Sequence, residues 1–202
     1  MRLPFFDLAV TLGAAACVGS ALAAVAVNHV LRRPGTDVRT RIHTPIATLS
    51  MLVFLAAMAG VVWLRLGVVE LPETSRRGSM LLGLAIMATG AVLNVAGRIS
   101  LGRNWADQVT EYRDQSLVRH GAYAMVRHPL YASITWMFVG AALVYRNAVL
   151  LGGALFVFVP AMVVRAWQEE RLLQQRFPEY ADYRRKVGML FPRVRPCREV
   201  LR

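Results

Sequence analysis

The sequence predicts an all-α integral membrane protein of about five transmembrane helices, and three observations carry that prediction. Hydrophobic residues fill 56% of 202 positions and mean hydropathy is +0.43, a balance unlike that of a water-soluble domain. The apolar residues gather into blocks long enough to span a hydrocarbon core. Basic residues concentrate in every second connection between the blocks, as membrane topology requires.

Residues 8–27, 45–64 and 79–96 are uncharged runs of roughly 18–20 residues each, the length of one crossing. Residues 130–145 and 148–164 are separated only by Arg146 and Asn147. At about 1.5 Å per residue, that pair is too long for one crossing and predicts a tight helical hairpin. The first block lacks a strongly basic leader and runs straight into His29, Arg32 and Arg33, so a retained span is expected rather than a cleaved signal.

Segments 28–44, 97–129 and 165–202 carry four, five and ten of the 24 Lys and Arg. Placing them in the cytoplasm puts the N terminus outside and the C terminus inside a plasma or inner membrane. That topology, with attraction to anionic membrane lipids, accounts for most of the net charge of +12. A nucleic-acid partner is excluded, because no basic module with interleaved aromatics is present. Cys17 and Cys197 have neither metal-ligand nor disulfide spacing. The ending "CREVLR" is no prenylation box, and no internal repeat is evident.

Polar chemistry collects in two of the inner segments. One is "GRISLGRNWADQVTEYRDQSLVRHGAYAMVRHPLY", residues 97–131, and the other is "RAWQEERLLQQRFPEYADYRRKVGMLFP", residues 165–192. The first predicts a loop with a short β-like stretch over 115–118, then a turn that Gly121 permits. Pro129 suits the first turn of the fourth span, which puts Arg127 and His128 just before the helix and Tyr131 inside its first turn. Unpaired N–H groups at such an end favour an anionic ligand group, although Arg, His and Tyr also sit at interfaces merely to meet headgroups. In the second segment a helix would stack Arg165, Glu169, Leu172 and Arg176 near one face. Alone, that pattern is an amphipathic interfacial helix.

Taken together, "SLVRHGAYAMVRHPLY" and "RAWQEERLLQQRFPEYADYRRKV" resemble the isoprenylcysteine carboxyl methyltransferase family and the related lipid methyltransferases. The resemblance covers residues 97–192. It implies one membrane methyltransferase domain over 1–202, with a helical pair at 1–77 and a catalytic core at 78–202. It further implies a cytosolic S-adenosylmethionine pocket built from the 97–131 loop and the C-terminal amphipathic helix. Carried over by position, the cofactor contacts would be Gln108, Gln115, Ser116, Leu117, Val118, Tyr123, His128, Pro129, Leu130, Tyr131 and Glu169. Arg165 would hold the substrate carboxylate and, with Glu169, form the catalytic pair. Glu170 matches the family's second acid, in a supporting role. One departure is Ser133, where family members carry Gly, and its larger side chain is expected to narrow the lipid or cofactor approach.

The implied chemistry suits these residue types. Methyl transfer from a sulfonium needs alignment and partial desolvation more than proton transfer. A carboxylate acceptor is already ionised near neutral pH, and a guanidinium fork such as Arg165 can aim it. Tyrosine faces and the Glu169 carboxylate suit the cofactor's cationic end. The helix start at Pro129 would receive the cofactor's carboxylate or orient its ribose, and both options stand. The partners are then an isoprenoid or lipid carboxylate substrate and the surrounding membrane lipids. The alternative enzyme is a phospholipid N-methyltransferase, which needs a base for its protonated amine. A sterol-reductase-like enzyme would carry Asn before Tyr131 and Gly-Glu after it, where this chain has Leu130 and Ala132-Ser133. A membrane scaffold that only binds anionic lipid is the non-enzymatic reading.

Overall fold

An apolar chain in hydrocarbon must satisfy its backbone internally, so its spanning blocks wind into helices. The computed structural model describes residues 5–30, 38–41, 45–102, 110–112 and 117–193. The helices are α1 (Phe5–Val30), α2 (Pro45–Trp63), α3 (Glu73–Leu101), the single turn α4 (Ala122–Met125), α5 (Pro129–Val144), α6 (Ala148–Gly153), α7 (Val159–Arg176) and α8 (Tyr180–Lys186). Two short strands, β1 (Val38–Arg41) and β2 (Thr110–Tyr112), pair antiparallel.

Among the described residues, Phe5–Val27, Glu73–Leu101 and Ala148–Arg176 are long and apolar enough to cross a membrane, and Pro129–Val144 is a shorter apolar helix. The predicted hairpin is present. Helix α5 ends at Val144, α6 starts at Ala148, and the Asn147 side chain caps α6 by accepting from Leu150 N–H at 2.8 Å. The last span and the amphipathic segment are not two helices. From Ala148 to Arg176 they form one rod of about 43 Å, interrupted only by a π turn at Ala154–Phe158. The π turn has a local cause at Pro160, which lacks an N–H and crowds the carbonyl four residues back. It leaves Phe158 stacked on Phe138 of α5, with ring centroids 5.1 Å apart.

The β-like stretch expected over 115–118 is not found where described. Leu117 and Val118 have no regular structure, Gln115 and Ser116 lie outside the described residues, and the strand falls earlier, at Thr110–Tyr112.

Helices α3 and α5 run antiparallel, and a seam of glycines lets them approach closely. A Cβ on Gly83 would meet Gly140 O at 2.5 Å, and a Cβ on Gly140 would meet Gly83 O at 2.6 Å. Further along, a Cβ on Gly90 would meet Ser133 O at 2.8 Å, and one on Gly97 would press on Pro129 and Leu130. Small residues matter here because hydrocarbon gives helices no hydrophobic reason to associate; close packing and buried polar contacts do the work. One such contact crosses the seam, where Asn94 Nδ2 donates to Ser133 Oγ at 2.8 Å. Both residues are buried. Ser133 therefore faces α3. Arg98 Nε donates to Asn94 Oδ1 at 3.0 Å, extending the polar run to the end of α3.

The opposite end of the bundle is closed by a different set of ties. Arg76 Nη1 reaches both Asp7 carboxylate oxygens at 2.6 and 2.7 Å, locking the first turns of α1 and α3 together. Asn147 Nδ2 donates to Leu66 O, and Val69 N–H donates to Arg146 O, so the α2–α3 and α5–α6 connections are stitched to one another. This end is connective, and the polar cluster of 121–131 and 165–190 lies at the other.

The seam yields a stability prediction with an internal control. Gly140→Ala forces a methyl into a backbone carbonyl and is expected to cost about 1–3 kcal/mol, lowering the melting temperature in detergent. Gly78→Ala lies in α3 where an added Cβ meets nothing, and it is expected to leave the melting temperature unchanged or raise it slightly.

Candidate active site

The site grows from the start of α5. Pro129 takes the first helical position and His128 is the N-cap, with φ −123° and ψ 69°. His128 O accepts from Ala132 N–H at 2.9 Å, so the N–H groups of Leu130 and Tyr131 have no carbonyl four residues back within the helix. Just upstream, Gly121 adopts φ +59°, and a Cβ there would lie 2.2 Å from Ser100 Oγ. That hydroxyl in turn accepts from Ala122 N–H at 3.2 Å. The turn predicted at Gly121 thus rests directly on the end of α3.

The chain after α8 closes the site from below. Arg127 N–H donates to Gly188 O at 2.8 Å and His128 N–H to Met189 O at 3.1 Å. Val126 and Gly188 form a parallel bridge, and Leu190 packs with Leu93, Ala122, Val126 and Ala132. Tyr183 of α8 donates its hydroxyl to Tyr123 O at 2.6 Å. Both phenols are held above their usual pKa, chiefly by burial.

Helix α7 supplies the acids. Glu169 and Glu170 are adjacent yet differ in surroundings. The Glu170 side chain is only 3% exposed, and its Oε1 accepts from Arg127 Nε and Nη2, each at 2.8 Å, and faces His128 Nε2 at 3.1 Å. Arg127 Nη1 continues to the carbonyls of Arg184, at 3.1 Å, and Val187. The Glu169 side chain is 36% exposed and lies 3.4 Å, by Oε2, from His128 Nδ1. One helical turn before it, Arg165 interacts with the Tyr131 phenol, which also interacts with Glu169. The His128 and Tyr131 rings stack with centroids 5.6 Å apart.

Of the residues singled out from the sequence, the structure brings Tyr123, His128, Tyr131, Arg165 and Glu169 into one electrostatic cluster. Pro129 and Leu130 join it by backbone only, since their side chains pack toward Gly97 of α3. Val118 is buried and Leu117 half-buried on the approach to the Gly121 turn. Gln108, Gln115 and Ser116 lie outside the described residues. Sequence reasoning passed over Arg127 as a structural ion and missed the pair Asn94 and Arg98. A polar Asn in the middle of an apolar span was the available signal.

The arrangement can hold a cation against Glu169 and an anion against Arg165, with aromatic faces between them. Comparisons with known proteins bear on the family. The family model for phospholipid methyltransferase matches residues 79–180. A nickel-cobalt-cadmium resistance protein of Alcaligenes xylosoxydans xylosoxydans is 34% identical over 114 residues, covering 54% of this chain and 52% of that protein. A protein-S-isoprenylcysteine O-methyltransferase of Tribolium castaneum is 28% identical over 122 residues, covering 55% of this chain and 41% of that protein. The chain spans about half the length of the curated relatives it matches. A solved eukaryotic intramembrane Ras methyltransferase, an isoprenylcysteine carboxyl methyltransferase, shares the fold with a TM-score of 0.55 at 23% identity, over 74% of this chain and 53% of that one. The two motifs at 116–131 and 165–187 and the match over half the chain lead to one conclusion: the chain belongs to the phospholipid methyltransferase family of membrane methyltransferases.

Proposed function

We propose that this protein transfers a methyl group from S-adenosylmethionine to a carboxylate of a membrane-embedded isoprenoid or lipid substrate. The observation that carries this reading is the pairing of Arg165 and Glu169 on one face of α7, both interacting with Tyr131. The proposed setting is a five-span bundle of α1, α2, α3, α5 and the α6–α7 rod. Its N terminus lies outside, and its site lies at the cytoplasmic interface.

The residues present fit the cofactor's chemistry. Glu169 is exposed enough to be reached and offers an anion to a sulfonium or ammonium, while Tyr123 and Tyr131 offer ring faces to the same cation. The unpaired N–H groups at the start of α5 suit a carboxylate or ribose oxygen. When bound, S-adenosylmethionine would supply a methyl group on a positively charged sulfur, transferable to an ionised acceptor oxygen with the electron pair left on sulfur and no proton to move.

The chain's own residues do the rest. Arg165 holds the acceptor carboxylate in one plane through a guanidinium fork. Tyr131, stacked on His128, separates the acceptor's charge from Glu169. The lipid chain stays in hydrocarbon and enters sideways, which explains why the cluster sits where the helices leave the membrane. Alignment of this kind is worth several powers of ten in rate.

The family description favours an amine acceptor as the second reading. It needs a base, and the geometry works against one. Both nitrogens of His128 are taken by carboxylates, and Glu170 is sealed behind Arg127. A carboxylate acceptor needs no base, so it is preferred.

Calorimetry with S-adenosylmethionine tests the cofactor half. Wild type is expected to bind in the micromolar range, with Glu169→Ala and His128→Ala at least about tenfold weaker, as expected from losing a hydrogen bond to a charged group. No binding by folded, monodisperse wild type would sink the proposal. Arg165→Lys tests the acceptor half. With a prenylcysteine acid as probe, its KM is expected to rise about tenfold or more, and by more than any accompanying loss of cofactor affinity. An unchanged KM would remove Arg165 from the carboxylate.

A further inference from the structure

His128 stands between two carboxylates that are not equivalent. Its Nδ1 is 3.4 Å from Glu169 Oε2 and its Nε2 is 3.1 Å from Glu170 Oε1. An imidazole donates from both nitrogens only when it carries two protons. Either neutral tautomer would set a lone pair against one of the carboxylates. Glu170 is anchored, because Arg127 meets it with two nitrogens and is itself tied to the carbonyls of Arg184 and Val187. Glu169 is partly exposed, and the groups that meet it are His128, Tyr131 and, from one turn earlier on its own helix, Arg165.

We propose that Glu170 is a positioning residue: fixed by Arg127, it pins His128 as a doubly protonated cation, and His128 in turn holds Glu169 toward the cofactor. This rests on the reading of Glu169 as a cofactor contact. It adds a residue that never touches the cofactor and a pH dependence that a merely structural acid would not produce.

The groups facing His128 are Glu169 and Glu170 from α7, Arg127 beside it in the chain and Tyr131 from its own helix, with Arg165 acting through Tyr131 and Glu169. Burial works against a charged ring, yet the hydrogen bonds and charges of Glu169 and Glu170 outweigh it and hold its pKa above the ordinary value of 6.5. The direction follows by linkage. A raised folded pKa contributes fully below the ordinary imidazole value and is lost as pH rises through the raised one. Above that point the shorter contact to the anchored Glu170 keeps the remaining proton on Nε2, the Nδ1 lone pair turns toward Glu169, and cofactor affinity falls.

The test uses the full chain in detergent, labelled with ¹⁵N-histidine, with the His128 signal assigned by His128→Gln. The titration midpoint of His128 is expected above 6.5 in wild type. In Glu170→Gln it is expected to drop by about one pH unit or more, since a carboxylate at this distance supplies a shift of that size. Glu170→Asp, which keeps the charge but withdraws it, is expected between the two and serves if Glu170→Gln does not fold. The alkaline limb of S-adenosylmethionine binding, read by calorimetry, is expected to move with the midpoint in each protein. A midpoint that stays put in folded Glu170 variants overturns the proposal. So does a midpoint that moves while the binding limb stays. A raised midpoint that falls in Glu170→Gln, in a protein that binds no S-adenosylmethionine at any pH, overturns the methyltransferase reading and leaves the Glu170–His128 tie measured.

Discussion

A carboxylate sealed from water where a helix leaves the membrane is costly unless charge meets it on nearly every side. Glu170 is met by Arg127 and His128 on one oxygen, and Arg184 Nε stands 3.5 Å from the other. Glu170 and those partners come from three separate stretches: the end of α7, the residues just before α5, and the end of α8. Bringing them together also brings Tyr123, Tyr131, Arg165 and Glu169 into one cluster. Arg127 does most of this work, because the guanidinium that neutralises Glu170 also holds two backbone carbonyls at the end of α8. A lysine, with one point charge and no fork, could not serve all these directions at once.

The depth of that knot is set by the α3–α5 seam. Gly97 lies against Pro129 and Leu130, so the first turn of α5 rests on the last turns of α3. Gly83 and Gly140 fix the other end, with each backbone carbonyl filling the space a side chain would need. Between them Asn94 and Ser133 make a hydrogen bond that slippage of one helix along the other would break, taking from Asn94 Nδ2 its acceptor in hydrocarbon. The polar run from Ser133 through Asn94 to Arg98 ends at the face that Tyr123 occupies. The seam and the cluster are thus continuous, and the seam determines where His128 stands relative to α7.

The fold was legible where its cause is local. Long apolar blocks, Pro129 at a helix start, Gly121 in a left-handed turn and the two-residue break at Arg146-Asn147 all appear as expected. Helix boundaries were not legible where causes are not local. The amphipathic segment continues the last span without a break, because nothing between Val164 and Arg176 stops a helix once the π turn at Ala154–Phe158 has absorbed Pro160. In the site, motif order pointed to the right helix ends but could not say which member of the Glu169–Glu170 pair is buried. Adjacent helical positions face about 100° apart, and only the placement of Arg127 decides between them. The side that Ser133 faces was not legible for the same reason. Its position in the motif suggested the ligand side, whereas the facing helix, which carries Asn94, claims it.

Charge within the cluster bears on the proposed acceptor. Arg127 and Glu170 cancel each other behind the site. In front of them stand Glu169, the His128 ring held above its ordinary pKa, and Arg165. If His128 is charged, it balances Glu169, and the Arg165 guanidinium is the cation that an acceptor meets. A carboxylate acceptor then completes a chain of alternating charges in a setting of reduced dielectric, where such alternation is worth most. A protonated amine in the same place would stand beside Arg165 without a base to relieve it. The cofactor's cation would sit near Glu169 just as its charge begins to disperse. A carboxylate that is held by His128, and not fully neutralised by a buried arginine, can favour that cation without clamping it. Burying the second acid under Arg127 therefore leaves the first one free for its task.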